Sequence, residues 1–108
     1  MEKVILIEWT EYERGWGQRP DGISLYADSS FAQKHIDSVY SSRHGAVPDE
    51  YSNPTNSYFA YINDQELLNR IKSDFNDRGV CWLSNREVND YSQNDRLIVS
   101  KDRPFVRY

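Results

Sequence analysis

The chain has 108 residues, 17 acidic against 13 basic for a net charge of −4, and one cysteine. One cysteine excludes an intrachain disulfide or a cysteine-based zinc cluster, and the length allows one domain and not two. A sequence pI near 5.1 disfavours general binding to a phosphate backbone, which needs a cationic face.

The longest apolar run, residues 4–7, is far short of the ~20 needed to cross a bilayer, and Met1, Glu2 and Lys3 do not open as a signal peptide. The expectation is a soluble, unexported protein of the cytoplasm, of the host cytoplasm if phage-encoded, without membrane contact. Eight Tyr, three Trp and four Phe in so hydrophilic a chain point to recognition, because large amphipathic rings bury area with few rotatable bonds.

Residues 3–9 read as a central strand, with Ile5, Ile7 and Trp9 on one face and Val4 and Leu6 on the other. Residues 10–22 hold three glycines and a Pro-Asp-Gly, the chemistry of a loop. Ile23, Leu25 and Ala27 then alternate with Ser24, Tyr26 and Asp28, as in a half-buried strand returning antiparallel beside the first. Ser30 and Gln33 have capping-box spacing ahead of a helix over 30–43. Residues 45–57, with two prolines, read as a long surface loop.

A third strand over 58–62 is followed by a cap signal at Asn63 and Glu66, and by a helix that ends near Arg78 with Gly79 as terminator. Residues 80–83 form a fourth strand, expected to run parallel to the third. Residues 84–95 read as a polar loop or exposed turn, and Leu97, Ile98 and Val99 as an edge strand. The order ββαβαββ defines one α+β domain over 1–108: a two-layer sandwich with a mixed or mainly antiparallel sheet of four to five strands and two helices on one face.

The strongest local signal for a site is the 11–22 segment. Arg14 and Arg19 can hold a phosphate or carboxylate while Tyr12 or Trp16 stacks on a ring, with Gln18 and Asp21 beside them. Alternatively Trp16 folds onto the core and each arginine pairs with Glu11, Glu13 or Asp21. Neither a dinucleotide fingerprint nor a phosphate-cradling loop is present. Glu50 and Tyr51 form a second acidic and aromatic cluster, which either closes against the first loop or makes a mixed-charge pocket with it.

The stretches EWTEYERGWGQRPDGISLYADS and VPDEYS, and RGWGQRPDG above all, resemble small proteins of no assigned activity carried by bacteriophages and their bacterial hosts. The resemblance covers about the first half of the chain. It implies a phage-type setting, in which binding a host component is a common task, and it transfers no catalytic residues.

Catalytic chemistry has little to stand on. His35 and His44 are the only imidazoles; His44 lies near Asp49 and Glu50 in sequence, and His35 reads as a surface residue. Cys81 sits in an apolar run as a small hydrophobe, and no metal-ligand motif or cofactor fingerprint occurs. Residues 96–108 mix Arg96, Lys101, Arg103 and Arg107 with Phe105 and Tyr108, which suits either a single-stranded nucleic acid or, the preferred reading, an edge strand open to a homodimer.

The expected function is therefore a non-enzymatic binding protein that modulates a host protein, a basic one by charge complementarity, through its Tyr-, Trp- and Arg-rich loops. Two alternatives stand beside it. One is a binder of a small anionic, nucleotide-like ligand, and the other is a small hydrolase-like enzyme using a His and carboxylate pair.

Overall fold

The computed structural model describes residues 1–13, 17–42 and 52–108. The chain forms β1 (Glu2–Glu13), β2 (Gly17–Tyr26), α1 (Ser29–Ser42), β3 (Ser52–Ile62), α2 (Gln65–Arg78), β4 (Cys81–Leu83), α3 (Asn85–Gln93) and β5 (Leu97–Val99). The strands make one sheet in the order β4-β2-β1-β3-β5, with every neighbouring pair antiparallel. The α+β class is the one expected from sequence, the five strands fall within the four to five expected of a mixed or mainly antiparallel sheet, and β1 is central because both its faces are apolar.

Each face of the sheet carries its own core. Val4 and Leu6 join Ile23, Leu25, Ala60 and Ile62 under Leu67 and Ile71 of α2, with Val88 and Tyr91 of α3 packed alongside. Ile5, Ile7 and Trp9 point the other way, to Tyr26 and to Ala32 and Ile36 of α1. The sheet with α2 and α3 is thus a two-layer unit, and α1 differs from expectation by lying on the reverse face. The reason lies in β1: a central strand apolar on both sides needs cover on both sides. For the same reason residues 23–26 of β2 are buried on both faces and not half-buried, since Ser24 and Tyr26 are as inaccessible as Leu25.

Four further expectations are corrected. Residues 10–22 are mostly strand, because β1 and β2 continue as a hairpin paired from Thr10 with Pro20 to Glu13 with Gly17. Where they part from regular register, Trp9 faces the extra residues Asp21 and Gly22, so Pro20 falls beside a bulge where a missing N–H is tolerated. Residues 52–57 belong to β3, and buried Pro54 again sits next to a register shift. Residues 84–95 contain a helix: Ser84 and Glu87 make a reciprocal capping box, and Val88 and Tyr91, three apart, face the core.

The fourth concerns direction. β4 is antiparallel to β2, β2 to β1 and β1 to β3, so β4 runs opposite to β3 with two strands between them. The 14 residues of α2 span ~21 Å, enough to cross the three interstrand spacings of ~14 Å that separate these two strands.

The helix caps shift by one or two residues from the expected positions. Asp64, not Asn63, caps α2 by accepting from the Leu67 N–H at 2.8 Å, and Gly79 closes it in the left-handed conformation at φ 77°. Asp28 opens α1 by accepting from the backbone N–H groups of Ser30 and Phe31. Gln33, read as a capping residue, instead exchanges two hydrogen bonds with the backbone of Arg107 at 2.8 and 2.7 Å. Those bonds fasten the C-terminal segment beside α1, where Val106 adds to the second core.

Candidate functional site at the α1 face

On the α1 face, the pleat of β2 turns Ser24 and Tyr26 toward the helix, and register places Trp82 of β4 directly opposite Ser24. Trp9 arrives from β1 at the bulge and His35 from α1, between buried Ala32 and Ile36. These residues form one hydrogen-bonded chain. The Trp9 indole Nε1 donates to Ser24 Oγ at 2.7 Å, Ser24 Oγ and the Tyr26 hydroxyl are 2.9 Å apart, and the Tyr26 hydroxyl meets His35 Nδ1.

An indole N–H only donates, so Ser24 accepts there. Of the orderings open to the rest of the chain, one has Ser24 donating to Tyr26 and the phenol donating to His35 Nδ1. This ordering uses every hydroxyl hydrogen within the chain and leaves the imidazole neutral with its hydrogen on Nε2. Burial acts in the same sense: it lowers the His35 pKa below 6.5 and, working against the Ser24 hydrogen bond, pushes the Tyr26 phenol up to about 12.

Rings close around the chain. Trp82 packs on Trp9 at 5.4 Å between centroids and meets His35 edge-on at 5.6 Å, yet it remains 43% exposed. Phe31, one turn before His35, is 49% exposed. Between α1 and the start of β4 runs a groove of ≈ 320 Å³ lined by Phe31, Lys34, His35, Ser38, Arg78, Gly79 and Val80. Its walls are mainly apolar, and its two charged groups are both cationic.

The residues named from sequence fall elsewhere. Arg14, Trp16, Glu50 and Tyr51 lie outside the described residues, as do His44 and Asp49. Arg19 stands opposite Glu11 in the hairpin ladder and pairs with it at 3.0 Å. Tyr12 and Gln18 are exposed cross-strand partners farther out. Gln18 is eight residues from Tyr26, ~27 Å along a strand, so the hairpin and the His35 chain are separate places. Asp21, which binds the Ser52 hydroxyl, shares with Trp82 the lining of a shallow depression beside the bulge.

Of the remaining candidates, Cys81 is buried in the α2-side core, where burial pushes its thiol up to about 12. Among the described residues, no three of His, Cys, Asp and Glu converge to hold a metal ion, and no helix is long and apolar enough to cross a membrane. Of the C-terminal cations, Arg96 pairs with Asp64 at 3.6 Å, Arg103 lies over the Tyr58 ring and Arg107 over Phe105.

Phe31, His35 and Trp82 were missed because their meeting depends on strand order and on which face α1 covers. One local signal existed: Ser24 and Tyr26, two apart, share a strand face and can hydrogen-bond each other. The fold and the site together define an α+β protein with an aromatic, basic face on one side of an antiparallel sheet. Set against protein-family models, curated proteins and solved structures, the chain matches none.

Proposed function

We propose that the chain is a small non-enzymatic binding protein, a phage-type accessory factor that occupies a site on a host protein, and that it does so with the face formed by Phe31, His35 and Trp82. The observation that carries this reading is a Trp and a Phe each left about half exposed around a histidine that a buried hydrogen-bonded chain holds in place. Rigid exposed rings beside a cation are the usual anchors of interface energy.

Two features weigh toward binding rather than catalysis. His35 spends Nδ1 on Tyr26, and no carboxylate among the described residues hydrogen-bonds the ring to tune it as a general base. Every buried side-chain nitrogen and oxygen among the described residues has a partner, so the site is a satisfied scaffold. A second reading, a binder of a small anionic ligand, is favoured by the volume of the adjacent groove and its two cations.

The test is photocrosslinking in a bacterial host, with a benzophenone amino acid at position 38 beside the groove or at position 90 on exposed α3. A discrete crosslinked product from position 38 and none from position 90 is the expected result. Equal products from both positions, or none from either, would count against this face.

A further inference from the structure

The groove beside α1 has a chemistry that selects its occupant. Lys34 and Arg78 stand at its rim with no carboxylate in its lining, although acidic residues outnumber basic ones in the chain as a whole. Asp37 and Asp74 lie within a turn of Lys34 and Arg78 but outside the lining, so the two cations are the charged groups that face the groove. Both are available. Lys34 makes no ion pair among the described residues, and Arg78 has only a 3.8 Å contact with Asp74 one helical turn back, an exposed pair easily given up.

The floor adds a second requirement. Phe31, Val80 and the His35 ring offer apolar and aromatic surface, which a bare anion would not use and an aromatic ring would. A volume of ≈ 320 Å³ is at the small end for ligand sites, room for one ring with its substituents rather than for a larger ligand. With Nδ1 committed to Tyr26, the His35 Nε2–H remains as one more donor able to meet an acceptor.

We propose that this groove seats an acidic segment of the partner protein, one aromatic side chain lying between Phe31 and Val80 and the flanking carboxylates meeting Lys34 and Arg78. This rests on the reading of the α1 face as the contact surface and adds the chemistry of what it contacts. It also reverses the expectation that net negative charge selects a basic partner.

The experiment is an amide-shift titration of the full-length, isotope-labelled protein with three probes: acetyl-Glu-Asp-Phe-Glu-Asp-amide, acetyl-Lys-Arg-Phe-Arg-Lys-amide and phenylacetate. The acidic peptide should give saturable shifts at Phe31, Lys34, Ser38 and Val80, bind about ten-fold tighter than the basic peptide, and lose about ten-fold in the Lys34→Gln, Arg78→Gln double variant. Both substituted side chains are exposed, and an unchanged spectrum of the free variant confirms its fold. Equal binding of the two peptides, shifts centred elsewhere, or no saturation would overturn the proposal, and phenylacetate binding as tightly as the acidic peptide would replace it with a site for small aromatic acids. If the peptides fail while crosslinking from position 38 persists, the contact face stands and only its partner's chemistry is wrong.

Discussion

His35 is the residue on which the local chemistry turns. Protonating it would make both ring nitrogens donors, so the Tyr26 hydroxyl would have to reverse and donate to Ser24. Ser24 already accepts from Trp9, and its own hydrogen would lose its acceptor in a site with no access to water. Folding therefore favours the neutral ring, in agreement with the lowered pKa. The unfolded chain binds the proton more readily, so the stability tied to the neutral ring is fully present above pH 6.5 and is lost as pH falls through the lower folded value. Thermal melts at pH 7.5 and pH 5 should show a larger fall in Tm for the natural protein than for His35→Gln, whose amide can still accept from Tyr26. Equal falls would mean that His35 does not titrate against the fold.

Among the elements, the β2 bulge and α3 depend on each other. The bulge frees the Gly22 N–H and the Pro20 carbonyl from the ladder, and the Asn85 side chain takes both, accepting at 3.0 Å and donating at 2.9 Å. Gly22 sits at φ 83°, where a Cβ would come within 2.8 Å of the Leu83 carbonyl oxygen, so the approach of β4 requires glycine here. Asn85→Ala should cost roughly 1–2 kcal/mol in urea unfolding, the range for losing hydrogen bonds at a partly solvated site, and Gly22→Ala should cost more because a backbone clash adds to the strain. If Gly22→Ala were as stable as the natural chain, the close approach of β4 would be wrong.

This coupling also explains what was legible in the sequence. The capping box at Ser84 and Glu87 and the spacing of Val88 and Tyr91 are local and readable, and only the polar composition of 84–95 hid them. The hairpin was read as a loop because Gly and Pro are turn residues by local rule. Here they serve a bulge whose backbone groups are satisfied by a side chain more than sixty positions away. The His35 chain draws on β1, β2, α1 and β4, so no single stretch of sequence contains it.

For the molecule as a whole, the decisive feature is that both faces of the sheet are cores. Leu6 and Ile7 are neighbours on β1, 2% and 0% exposed, and they point to opposite helices. With helices on one face only, truncating one of them would cost little. With both faces covered, Leu6→Ala and Ile7→Ala should each cost about 2–5 kcal/mol, measured as a fall in the urea midpoint. A cost below about 0.5 kcal/mol for Ile7→Ala would return that face to solvent. The second core is the thinner one, resting on α1 and the segment tied down by Gln33 and Arg107, and it is the one that carries the exposed rings.

The central claim is that those rings are there to bind. Phe31 tests it most directly, because it is half exposed and, unlike Trp82, packs on no other ring among the described residues. The measurement is the crosslinking yield from position 38 in the Phe31→Ser protein, read beside its Tm. A binding face predicts a yield reduced about ten-fold or more, with stability changed by no more than about 0.5 kcal/mol. An unchanged yield would contradict it, and a yield lost together with the fold would make Phe31 a structural residue instead.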